Sequence, residues 1–177
     1  MSERKQNKKI DKRAPVIVGV GDLVDRSKED GLNPQELLAK ACEHAIQDSG
    51  IKELNKHIDY VGVVRFTVDF LTATNQSNFQ YSNFPRTLAN KLNISAKNEV
   101  YAPMGGNSPQ VLLEDALVKI STGETDCALL SGGEALQTMI AKLKAGMSLD
   151  WLDEPGGSPE MIGNNDIGFS DHEKLHG

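Results

Sequence analysis

Residues 120–136 read ISTGETDCALLSGGEAL, and this stretch decides between a helical and an alternating α/β protein. Upstream of it, Leu112, Leu113, Ala116, Leu117 and Ile120 recur at three- and four-residue spacing, the stripe of an amphipathic helix running from Val111 to Ile120. Gly123 closes that helix, because glycine enters the left-handed conformation of a helix end without steric cost. Asp126 to Ser131 then turns into a near-continuous apolar run, the pattern of a strand covered on both faces. Gly132-Gly133-Glu134 leads into ALQTMIAKLKAG, the fourth predicted helix of the chain, ending at Gly146.

The same alternation extends towards the N-terminus. Val16-Ile17-Val18-Gly19-Val20, just after Pro15, predicts a first strand buried on both faces. Asn33-Pro34-Gln35-Glu36 carries a capping residue, a proline for the first helical position and a glutamate at the third. The helix that follows puts Leu37, Leu38, Ala41, Cys42, Ala45 and Ile46 on one stripe, and Gly50 stops it. Tyr60 to Phe66 predicts a second strand, Phe84 to Leu92 a second helix, and Glu99 to Ala102 a third strand. The polar stretch 67–83 between them is long enough to be a functional loop or an arm reaching a partner subunit. Strands and helices alternating at this spacing define an α/β fold with a mainly parallel sheet, helices on both faces and right-handed crossovers.

Composition narrows the function classes. In 177 residues, 38% apolar and 25% charged residues suit one globular core, and a formal charge of -6 disfavours a nucleic-acid surface. Residues 1–13 form a basic leader without the apolar core of a secretory signal, and no window approaches the roughly 18 apolar residues of a membrane span. Residues 14–146 form the α/β domain, and 147–177, rich in Gly, Pro, Asn and Asp, begin a loop region that is expected to be incomplete. Cys42 and Cys127 each sit in a periodic apolar segment, so neither a disulfide framework nor a zinc site is expected and a cytoplasmic setting fits.

Three motifs invite chemistry. Gly19-Val20-Gly21 follows the first strand but lacks the third glycine of a dinucleotide fingerprint. Gly106-Asn107-Ser108-Pro109-Gln110 begins like a nucleophile elbow, with Ser108 between a strand and a helix. Gln110 replaces its last glycine, however, and Pro109 has no N–H to stabilise an oxyanion. Ser108 reads better as the helix N-cap, with Pro109 at the first helical position. Among the histidines, His44 falls on the first helix, His57 precedes a strand, and His172 and His176 lie four apart without a third metal ligand.

Taken together, PVIVGVGD, ELLAKACEHAIQDSGI, ISTGETDCALLSGGEAL and SDHEKLHG resemble the N-terminal half of the thiolase superfamily across most of residues 14–177. The resemblance implies a three-layer α/β/α fold, acyl transfer from a coenzyme A thioester in lipid metabolism, and a dimer interface at the third strand and the helix after it. It also implies a nucleophilic cysteine at the turn before the third helix. Counting back from Gly123 without a gap, that position holds Gly106.

Glycine has no side chain to attack a thioester, so no covalent acyl-enzyme is expected. The helix N-terminus survives, and Gly106, Asn107 and Ser108 are the candidate substrate-binding residues for a thioester carbonyl. GGNSPQ is similar to a thiolase-like branch often labelled acetyl-CoA acetyltransferase or related to the sterol-carrier thiolases. The histidine and second cysteine of the family's second half have no counterpart here, which leaves three expectations open. The chain is a thiolase-like acyltransferase inactive in isolation, a non-catalytic acyl-CoA-binding or scaffold subunit completed by another polypeptide, or a truncated product. No metal and no cofactor beyond the coenzyme A thioester is expected.

Overall fold

The structure, a computed structural model, describes residues 12–67, 69, 81–151 and 153–163. Among these residues the chain forms four parallel strands and four α-helices. In chain order they are α1 (Pro34–Asp48), β1 (Tyr60–Val64), α2 (Phe84–Lys91), β2 (Asn98–Ala102), α3 (Ser108–Thr122), β3 (Ala128–Ser131), α4 (Leu136–Lys144) and β4 (Glu160–Met161). The sheet order is β3-β1-β2-β4.

Local chemistry explains α1 well. Asn33 Oδ1 accepts the Glu36 N–H at 2.8 Å and the Glu36 carboxylate accepts the Asn33 N–H at 3.4 Å, a reciprocal capping box with Pro34 inside the first turn. At its other end Gly50 takes φ +65°. Gly123 likewise closes α3 at φ +84°.

Burial follows the two-residue period of the strands. Val61, Val63, Tyr101 and Leu129 face a core shared with Leu38 and Cys42 of α1, Phe84 and Leu88 of α2, and Leu136 and Met139 of α4. Tyr60, Val100, Ala102 and Leu130 face the opposite side, where Leu112 and Ala116 of α3 pack. Helices therefore cover both faces, and the architecture is three-layer α/β/α. Phe66, Tyr81 and Phe84 pack edge to face with ring centroids 4.8–5.6 Å apart, which holds the chain after β1 against the start of α2. Residues 153–163 return to the sheet, with Asp153 bridging Tyr81 and β4 pairing β2.

One expected element does not form. Val16, Ile17, Val18 and Val20 are 76, 79, 46 and 67% exposed, and the run 16–20 joins no ladder. A strand exists only through hydrogen bonds to a neighbour, and none of the described strands lies beside this run. It rests on α1 instead. The Val20 N–H donates to Asp48 Oδ2 at 2.9 Å, and His44 Nδ1 lies 2.9 Å from the Asp22 carbonyl oxygen. Gly19 and Gly21 are required there, since a Cβ at either position would collide with the α1 backbone at Ala45 and Ala41 respectively.

Candidate functional site

In a parallel α/β sheet, ligands bind beyond the carboxyl ends of the strands, where the chain turns into the following helix. Here that end is formed by the segments after Val64, Ala102 and Ser131. After β2, the chain passes through Pro103 and the exposed residues Met104, Gly105, Gly106 and Asn107 into α3. The Ser108 N–H donates to the Gly105 carbonyl at 3.2 Å, and the Gln110 and Val111 N–H groups donate to the Asn107 carbonyl at 3.0 and 3.1 Å.

These bonds move the cap by one residue from the sequence expectation. Asn107, not Ser108, is the N-cap, and its side chain makes no capping bond. Ser108 is the first helical residue and is 2% exposed, while Pro109 occupies the second position. The three candidate binding residues therefore divide. Gly106 and Asn107 present their backbone at the open end of α3, and the Ser108 side chain is buried beneath them. A Cβ built on Gly106 would meet nothing within 4 Å, and its φ lies outside the left-handed region. The backbone thus does not demand glycine at this position, and a side chain here would enter open space.

The other two strand ends supply polar groups nearby in the fold. Glu134, in the Gly-Gly-Glu turn after β3, accepts the Thr67 N–H at 2.7 Å and the Ala135 N–H at 3.0 Å, tying that turn to the chain after β1. Arg65 pairs with the buried Asp69 at 3.0 Å, and Tyr101 on β2 donates its hydroxyl to Asp69 at 2.9 Å. The Arg65 guanidinium also stacks on the Tyr101 ring, 4.9 Å from its centroid. Burial, reinforced by the Asp69 carboxylate, pushes the Tyr101 phenol well above its usual range and keeps it neutral.

The remaining motif residues lie elsewhere. Cys127 immediately precedes β3, at the amino end of the sheet, so it sits at the opposite end from Gly106. Cys42 is buried in the core, and burial raises both thiols. His44 contacts the Asp22 carbonyl just after the 16–20 run, and His57 follows a 3-10 turn at Leu54–Lys56. His172, His176 and most of the 67–83 stretch lie outside the described residues. Among the described residues no cluster of His, Cys, Asp or Glu has the makings of a metal site, and no helix is long and apolar enough to cross a membrane.

Several structural anchors carried no sequence signal. Asp59, Asp69, Tyr101 and Glu134 act through partners distant in the chain, and only folding brings those partners together.

Comparison with known proteins fits this arrangement. The chain is similar to a solved structure, the monomeric SCP2-thiolase-like protein type 1 of Mycobacterium smegmatis, at 32% identity and a TM-score of 0.55 over 71% of its length. It spans about a quarter of that protein, 24% of its chain. No protein-family model matches, and no curated protein does. The fold is therefore thiolase-like, a parallel sheet with helices on both faces.

Proposed function

We propose that this chain carries the N-terminal α/β portion of a thiolase-like protein of the sterol-carrier or acetyl-CoA acetyltransferase type, which holds an acyl-CoA thioester at the start of α3 without forming an acyl-enzyme. The observation that carries this reading is Gly106. It stands one residue before the N-cap of α3, open to solvent on its Cβ side, on a chain 32% identical to a thiolase-like protein over 71% of its length. With the Ser108, Gln110 and Val111 N–H groups bonded locally and Pro109 without one, the Gly106 and Asn107 N–H groups, ahead of the positive end of the helix dipole, suit a polarised carbonyl oxygen. Without a thiol at this place no thioester exchange follows.

The partner in this reading is the acyl-CoA thioester itself. Because the mycobacterial protein is described as monomeric, a monomer is favoured over a homodimer. Calorimetric titration of the purified chain with acetyl-CoA tests the reading. Saturable binding is expected, with no release of free coenzyme A thiol above a buffer blank, and Gly106→Trp, which fills the open space, should abolish it. Turnover, or a flat titration at millimolar acetyl-CoA, would sink the proposal.

A further inference from the structure

β2 has β1 on one side, and residues 160–163 run along its other edge. The ladder there is slight. Val100 pairs with Glu160 and Tyr101 with Met161, and the Ile162 N–H reaches the Tyr101 carbonyl at 3.4 Å. Glu160 and Met161 are both exposed, and Ile162 packs against the cluster of Val100, Ala102 and Leu112. Two residues of strand with so little apolar burial are a weak hold on a sheet edge.

Side chains add the stronger hold, at two clasps. Arg86 of α2 pairs through Nε with Glu99 Oε1 at 2.7 Å and donates from Nη1 to the Gly156 carbonyl at 3.1 Å. Asn83 Nδ2 bridges the same two residues, donating to Glu99 Oε2 at 2.9 Å and to the Gly156 carbonyl at 3.3 Å. Gly156 and Gly157 take φ +81° and +68°, so the backbone folds around the guanidinium, and a Cβ on Gly157 would stand where that group lies. The second clasp is downstream, where Lys119 Nζ of α3 meets Glu160 Oε2 at 2.7 Å.

A bare edge strand offers unpaired N–H and C=O groups to a second chain, and β2 carries few of the usual deterrents. Val100, Tyr101 and Ala102 are buried, the strand has no lysine and no proline, and its one charge, Glu99, is engaged by Arg86. It is also self-complementary. Set antiparallel to a second copy about Val100, Glu99 of each copy would face Tyr101 of the other, so like charges do not meet. We infer that residues 156–163 are an edge guard, clasped by Arg86 and Asn83 and latched by Lys119, that keeps β2 from pairing with a second copy of this chain. The interface expected at this strand is thus closed by the chain itself, and the guard acts whether or not acetyl-CoA is bound.

Sedimentation velocity and amide hydrogen exchange on the full chain test the guard. The parent is expected to be a monomer at micromolar concentration. Gly157→Val/Glu160→Lys attacks both clasps from the strap, at exposed positions that leave α2 and α3 intact, and Arg86→Ala/Lys119→Ala removes them from the helices. In each double variant, exchange across residues 160–163 should rise at least tenfold and the chain should sediment as a dimer. Asn98–Ala102 should stay protected, because a second copy takes the place of the strap. A released strap on a chain that stays monomeric overturns the guard, as does a parent that is already a dimer. Strap exchange unchanged in both variants overturns the clasps. If the helix-side variant loses its cooperative melt, the strap-side variant decides.

Discussion

The two ends of the parallel sheet are built on different principles. At the amino end a single residue, Asp59, ties three strands together: its carboxylate accepts the Asp126 and Cys127 N–H groups at 3.2 and 3.3 Å before β3. Its carbonyl oxygen accepts the Lys97 and Asn98 N–H groups at 2.8 and 3.0 Å at the start of β2, and Lys97 Nζ lies 3.4 Å from the carboxylate. At the carboxyl end Met104 to Asn107 are exposed, and the Asn107 side chain makes no cap bond. At the amino end one residue fixes the strand starts, whereas at the carboxyl end the turn after β2 is left open beside the anchors after β1 and β3. That is the division expected when one end is scaffold and the other carries the binding site.

The sharpest way to break this comparison is Asp59→Ala. It strands two part-buried backbone donors, and we expect a loss of about 2–3 kcal/mol in urea unfolding. A loss below about 1 kcal/mol would show that the amino end does not depend on this clamp.

The sheet between the two ends is tested by alkali. Burial first, and then neighbouring carboxylates, raise the phenols of Tyr60, Tyr81 and Tyr101. A raised folded pKa means that the unfolded chain loses its proton first, so stability is fully present below the unfolded value of about 10 and falls as pH rises above it. We expect a loss of about 1.4 kcal/mol for each phenol at pH 11 relative to pH 9. Tyr101→Phe should flatten the fall, and an unchanged urea midpoint across this range would contradict the burial of these hydroxyls.

The smallest effects belong to the carboxyl end. Gly106→Ala and Asn107→Ala should each change stability by no more than about 0.5 kcal/mol, since Gly106 has room for a Cβ and Asn107 gives up no side-chain bond. A thermal melt that placed either variant several degrees below the parent would mean that this turn is structural after all.

Legibility in the sequence followed the range of the interactions. The capping box of Asn33 and Glu36 lies within one turn, and α1 was readable to its first residue. The β-branched stretch before Gly21 was read as a strand from the same kind of local pattern, but a strand is a relation between two segments. The cap of α3 lies at Asn107 and not at Ser108: both residue types cap well, and the backbone bonds to the Asn107 carbonyl separate them.

By itself the sequence determined the alternation of strands and helices, the glycine closures at Gly50 and Gly123, and the absence of a nucleophilic side chain at Gly106, because each depends on residue identity and short-range periodicity. Only the tertiary structure decided that Asp59 joins three strands, that Asp69 receives both Arg65 and Tyr101, and that the 16–20 run rests on α1 and not in the sheet. Those relations connect residues tens of positions apart, and a hydrogen bond or a shared helix face between such residues exists only once the chain has closed around its core.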